Sequence, residues 1–220
     1  MTVARVAAVA LVTGLALAAC APDPPSGVIG LVIDSCDPGE DHGSGMLVAP
    51  DLALTSAHVL AGAQGIRVIH GGRTIDGTVI AFDPEMDLAY VAFDAVPDRP
   101  LTVESDHVRP GDRGTAYVVR GGSVVELPVR IARRVRLRTE DIYIQGETLR
   151  PGFELEASIQ PGDSGGALLV DGAVVGVLWA RSNQAGDRAY AIDAERGADR
   201  IERQRATGEL GPDIDVARCH

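Results

Sequence analysis

The chain has 220 residues, a formal net charge of -11, 45% hydrophobic residues and only 4% aromatic ones. That length allows one ordinary domain or two small ones, with a core built mostly from Val, Ile, Leu and Ala, and the acidity makes nucleic acid an unexpected partner because it repels phosphate backbones. The 26 Gly and 13 Pro favour many turns and short strands over long helices.

The chain opens MTVARVAAVALVTGLALAAC. Arg5 is followed by an uncharged stretch from Val6 to Ala19, too short for a bilayer span of about 20 residues. It fits the apolar region of a secretory signal over residues 1–19. Leu17-Ala18-Ala19-Cys20 resembles the bacterial lipobox, in which the Cys is lipid-modified and becomes the new N-terminus. The alternative is an ordinary signal whose Cys is incidental. Residues 20–27, with Pro22, Pro24, Pro25 and Gly27, read as an extended tether. The expectation is a bacterial lipoprotein on the extracytoplasmic face of the cell membrane, with the bilayer as partner through Cys20. Two cysteines remain, Cys36 and Cys219, and outside the cytoplasm such a pair reads most simply as a disulfide. Two free thiols are the alternative. The five His stand at no zinc-like spacing with Cys, so no metal and no cofactor are expected.

From Val28 onward, short apolar runs alternate with turn residues. VIGLVI (28–33), GMLVA (45–49), IRVI (66–69), TVIAF (78–82), LAYVAF (88–93) and AYVV (116–119) read as strands. So do VVELPVRI (124–131), DIYIQ (141–145), FELEAS (153–158), ALLV (167–170) and AVVGVLW (173–179). Such spacing predicts an all-β sandwich or barrel. Between Val129 and Arg138, apolar residues interleave with Arg, as on a strand with one buried and one wet face. Ser56 to Leu60 fits a single helical turn, and Asp193 to Thr207 a surface helix.

Gly162-Asp163-Ser164-Gly165-Gly166 fits two patterns. A nucleophile elbow requires the order Ser, acid, His and a helix after the Ser. Here the one later His is His220, and ALLVDGAVVGVLW reads as a hairpin turning at Asp171-Gly172. The elbow therefore fails. The other order is His, Asp, Ser. A serine needs a base to take its proton, and the base needs an acid to orient it. His58 follows a short strand in LTSAHVLAG, and Asp87 opens the run LAYVAF. Asp83 and Glu85 lack that position beside the strand. His42, His70 and His107 lack the context of His58 and read as surface residues.

Four motifs in this order resemble the chymotrypsin/trypsin-like serine proteases: Gly43-Ser44-Gly45-Met46-Leu47-Val48, Thr55-Ser56-Ala57-His58, Asp87-Leu88-Ala89 and Gly162-Asp163-Ser164-Gly165-Gly166. The resemblance covers about residues 30–192 and is similar in detail to membrane-tethered periplasmic proteases of actinobacteria, of the acid-resistance type. Those join a Cys before the G-S-G strand to one near the C-terminus, as Cys36 and Cys219 would. They carry transmembrane helices where this chain has a lipobox. DegP-like relatives usually read G-N-S-G-G and add a PDZ domain, for which the stretch after Ile192 is too short.

The resemblance implies two six-stranded antiparallel β-barrels, about residues 28–105 and 110–192, and then a C-terminal helix and tail over 193–220. It implies a monomeric serine endopeptidase acting on protein or peptide substrates, with catalytic Ser164, His58 and Asp87 and an oxyanion hole from the backbone N–H groups of Gly162 and Ser164. It places Ser158 at the base of the substrate pocket and Leu178, Trp179 and Ala180 in its wall. An uncharged Ser158 disfavours basic residues at the cleaved position and favours small or medium apolar ones. Val28-Ile29-Gly30 resembles the freshly cut start of an activated zymogen, whose amine would pair with Asp163; the simpler reading is a local partner for Asp163. A catalytically inactive, lipid-anchored binding module and a serine esterase are the competing functions.

Overall fold

The computed structural model describes residues 24–36, 39–182, 185–207 and 216. Cys20, the first half of the tether (residues 20–23) and Cys219 lie outside the described residues. The chain forms β1 (Val28–Asp34), β2 (Glu40–Ala49), β3 (Leu52–Thr55), a 3-10 turn (Ala57–Val59), β4 (Gly65–His70), β5 (Arg73–Asp83) and β6 (Leu88–Phe93). The second half holds β7 (Arg113–Arg120), β8 (Ser123–Glu140), β9 (Glu147–Glu156), β10 (Ala167–Val170), β11 (Ala173–Arg181) and β12 (Arg188–Asp193), followed by helix α1 (Ala194–Thr207).

Each half closes into a six-stranded antiparallel barrel, in the orders β1-β2-β3-β6-β5-β4 and β7-β8-β9-β12-β11-β10. The strand order is the same in both. Pairing of β1 with β4 closes the first barrel, and pairing of β10 with β7 closes the second. Closure leaves no sheet edge to manage.

Alternation along the strands sends one set of side chains inward. Ile29, Leu31, Ile33, Leu47, Val68 and Val91 fill the first barrel. Val118, Ile131, Phe153, Leu155, Leu168 and Val175 fill the second. A third cluster seals the seam: Met46, Leu54, Leu88 and Tyr90 from the first barrel meet Val174, Val177 and Ile192 from the second, with Ile201 of α1. The helix thus lies over the junction.

Three sequence expectations need correction. DIYIQ is not a strand but the turn joining β8 to β9. The Asp141 carboxylate accepts from the Tyr143 and Gln145 amides, and its carbonyl from Ile144. A short acid that satisfies three local N–H groups wins over the β-propensity of Ile-Tyr-Ile. Strand β12 was missed because Ala189 and Ala191 give a weak apolar signal, although both are fully buried. His70 is not a surface residue. Its ring is buried, with Nε2 2.8 Å from Asp98 Oδ2 and Nδ1 3.3 Å from the Val28 carbonyl.

Phe153 is fully buried in the second core, with the Arg134 guanidinium 4.8 Å from its ring centre. Phe153→Ala should cost about 3–5 kcal/mol through lost contacts and a residual cavity. Urea unfolding of the two proteins measures this.

Candidate active site

The seam between the barrels collects the expected residues. His58 lies in the 3-10 turn after β3, a turn closed by the Leu60 N–H to the Ala57 carbonyl at 2.9 Å. Asp87 is the last residue of the β5–β6 loop and is 2% exposed. Its φ of 58° is in the left-handed region, which Asp tolerates better than most residues. Asp87 Oδ2 is 2.8 Å from His58 Nδ1, and Asp87 Oδ1 accepts the His58 backbone N–H at 2.7 Å. The ring and the main chain of His58 are thus fixed by the two oxygens of one carboxylate.

Electrostatics follow from this geometry. Burial opposes protonation of the imidazole, but the Asp87 charge and hydrogen bond outweigh it and hold His58 above its ordinary 6.5. Arg150 pulls the other way. Burial raises Asp87, yet the His58 charge, the two His58 hydrogen bonds and Arg150 keep it below the ordinary carboxylate range.

Ser164 follows a tight turn. The Asp163 N–H donates to the Gln160 carbonyl at 3.1 Å, with Pro161 and Gly162 at the corners and Gly162 at φ 91°. That is the type II pattern, which needs Gly at its third position. The loop is tied to both barrels. The Ser44 N–H donates to the Ser164 carbonyl at 2.8 Å, and the Thr55 hydroxyl donates to the Ser44 carbonyl at 2.7 Å. Gly165 sits against these two groups with φ 83°, and a Cβ there would collide with the Ser44 carbonyl and the Thr55 hydroxyl.

Asp163, fully buried, is held on the second barrel. Its oxygens take a two-pronged bond from Arg120 at 2.8 and 2.6 Å and a third from the Gln160 amide at 2.7 Å. Val28 is buried in β1, opposite Met46. In the uncut chain Asp163 is thus paired with Arg120, 43 residues away, and with the nearby Gln160 backbone N–H.

One carbonyl brings the loops together. Leu178 O accepts from the Gly165 N–H at 2.8 Å and from the Ser56 hydroxyl at 3.1 Å. The first donor follows Ser164 directly and the second precedes His58 by two residues. Trp179, next along β11, donates its indole N–H to Asp87 Oδ2 at 2.6 Å. The structure thus brings His58, Asp87, Gly162 and Ser164 to one seam.

The expected pocket residues are more scattered. Ser158 is exposed on the loop after β9. Leu178 is fully buried in the second core, so its backbone alone faces the site. Trp179 turns its indole to Asp87, and Ala180 is half-buried opposite Tyr190 on β12. An open, mainly apolar groove of about 550 Å³ lies beside the turn before Ser164, lined by Leu31, Val32, His42, Ile69, Val119 and Arg120 among others. Among the described residues, no cluster of His, Cys, Asp and Glu could hold a metal ion, and no helix is long and apolar enough to cross a membrane.

Sequence reasoning did not find Arg120, Arg150 or the bond from Trp179. Arg120 ends β7 before Gly121-Gly122 and Arg150 stands in β9 before Pro151, and neither carries a local motif. Their partners are 43 residues away for Arg120 and 65 and 66 for Arg150.

Comparison with known proteins bears on the family and the fold. The family described as trypsin-like peptidase domain matches residues 43–177. The chain is 31% identical over 176 residues to serine protease Rv3671c of Mycobacterium tuberculosis, across 77% of this chain and 44% of that protein. It is 32% identical over 196 residues to a probable periplasmic serine endoprotease, DegP-like, of Chlamydia pneumoniae, across 81% of this chain and 39% of that protein. The chain thus spans less than half the length of these curated relatives. Among solved structures, the active form of the Rv3671c protease superposes with a TM-score of 0.77 at 26% identity, covering 80% of both chains. The HtrA-type protease AlgW with a tripeptide superposes with a TM-score of 0.73 at 25% identity, covering 83% of this chain and 61% of that one.

Two tests address the electrostatics. Asp87→Asn removes what holds His58 up, so the midpoint of the imidazole titration, followed by NMR, should fall. An unchanged midpoint would contradict the pairing. Arg120→Ala leaves a fully buried carboxylate unpaired and should cost about 3–5 kcal/mol in denaturant unfolding. A second change, Asp163→Asn, should recover part of that loss.

Proposed function

The chain belongs to the trypsin-like peptidase family, and we propose that it is a serine endopeptidase that cleaves peptide bonds outside the cytoplasm. The observation that carries this reading is the shared Leu178 carbonyl, which ties the segment before His58 and the loop after Ser164 to one point beside the His58–Asp87 pair.

Ser164 Oγ attacks the scissile carbonyl, and His58 Nε2 takes its proton and passes it to the leaving amine. Asp87 holds the His58 ring with Nδ1 protonated and stabilises the imidazolium. The backbone N–H groups of Gly162 and Ser164 receive the developing oxyanion. The type II turn at Pro161-Gly162 fixes this segment before substrate arrives. No acidic residue lines the groove beside this turn, which favours apolar substrate side chains there. The base must be neutral to act, so activity rises with pH through the His58 value, which stands above 6.5.

The proposal includes lipid anchoring at Cys20, supported by the apolar run and the lipobox-like sequence before it. It also includes a Cys36–Cys219 disulfide. The Gly62 N–H donates to the Val216 carbonyl at 2.6 Å, and Cys36 Sγ is 3.4 Å from the Gly62 carbonyl. Both contacts bring Val216 and Cys36 to the same residue, Gly62, which supports the pairing.

A fluorophosphonate probe should label the wild type at Ser164 and leave Ser164→Ala unlabelled. Peptidase turnover in Ser164→Ala should drop by roughly 10⁶. Digestion of a peptide library separates a peptidase from an esterase. A folded wild type without a Ser164-dependent adduct would overturn the proposal.

A further inference from the structure

We propose that Trp179 and Arg150 form a positioning pair for the catalytic acid: the Trp179 indole N–H fixes Asp87 Oδ2, and the buried Arg150 guanidinium holds both that indole and the loop that carries Asp87. This rests on the serine peptidase reading above.

Asp87 accepts three hydrogen bonds. Two come from His58, one from its ring at 2.8 Å and one from its backbone at 2.7 Å. The third, from Trp179 Nε1 at 2.6 Å, comes from a residue that takes no part in proton transfer. It reaches Oδ2, the oxygen that also meets the imidazole. An indole nitrogen only donates, so this bond keeps one direction at every stage of the reaction. It holds the carboxylate plane when the ring of His58 shifts. A second donor on one oxygen also draws charge from it and weakens its hold on the imidazolium.

The indole is itself fixed. Tyr190 meets it edge-on with ring centres 6.5 Å apart, and the Arg150 guanidinium lies 5.2 Å from its centre. Arg150 is 1% exposed. Its hydrogen bonds run to carbonyls, at 2.6 Å to Glu85 and 3.2 Å to Pro84, both in the loop ending at Asp87. A buried cation bonded to neutral carbonyls exerts its field on nearby charges. Those facing it are Asp87, Asp83 at the end of β5 and Asp141 of the β8–β9 turn. Asp83 is ion-paired to Arg200 of α1 at 2.7 Å. Arg150 also opposes the charge on His58.

Packing alone would explain a Trp in the seam. It would not need the N–H on Asp87, nor a charge behind the ring. Trp179→Phe keeps the ring and removes the donor. It should lower kcat about 10- to 100-fold, the range of a hydrogen bond to a charged group, with KM nearly unchanged. The acid limb of the pH profile of kcat/KM should move to higher pH, because a less-satisfied Asp87 supports the imidazolium more strongly. Arg150→Met should move the limb the same way, and Arg150→Lys should bring it back towards wild type. An acid limb unmoved or lowered in folded Trp179→Phe overturns the proposal, and so does one unmoved or lowered in folded Arg150→Met. If the wild type takes no fluorophosphonate, the peptidase reading fails separately. The His58 titration by NMR in the same variants then decides the positioning role, with an upward shift expected and no shift overturning it.

Discussion

A charged carboxylate with almost no access to water must be surrounded by donors or lose its charge. Asp87 is that group, and the seam is arranged around it. His58 supplies two donors from the first barrel and Trp179 one from the second. The loop before it is fastened on all sides. Asp83 Oδ1 accepts from the Glu85 and Met86 amides at 3.0 and 2.9 Å. Arg150 of β9 grips the Pro84 and Glu85 carbonyls, and Arg200 of α1 grips Asp83 and Glu85. The acid belongs to the first barrel by sequence, and its supports come from both barrels and from α1.

The Ser164 loop also takes support from the opposite barrel. Ser164 lies in the second half of the chain, yet its carbonyl is held by Ser44 of β2, and Gly165 packs on Ser44 and Thr55 of the first. Each barrel thus contributes holds to the loop carried by the other. The seam cluster around Leu54, Leu88, Val177 and Ile192 keeps the two in register. A shift of one barrel against the other would disturb both loops together, so the apolar seam bears on chemistry as directly as the polar contacts do.

Much of this was legible in the sequence, and the reason is local. A strand announces itself by alternation within a few residues, as in VIGLVI, and the short motifs at His58, Asp87 and Ser164 are each contiguous. The DIYIQ segment misled because its alternation is real while the Asp141 carboxylate, which closes the turn, is only one residue. The contacts of Arg120, Arg150 and Trp179 had no comparable signal. Each joins groups that only the closed barrels bring close. The role of the Leu178 main chain was hidden for a related reason: the side chain packs in the second core while its carbonyl accepts from Gly165 and Ser56. The shared strand order of the two halves was equally hidden, since it lives in pairing and not in any sequence repeat.

Barrel closure by distant strands has a kinetic side. In each half the first strand pairs with one three strands later, and such non-local pairings form slowly because the intervening chain must be ordered first. The groups around Asp87 and its loop come from both barrels and from α1, so all of them meet only when these elements have docked. A chain still emerging, or stalled with one barrel formed, holds His58 without Trp179 and Ser164 without Ser44. The arrangement around His58, Asp87 and Ser164 is therefore incomplete in any half-folded copy.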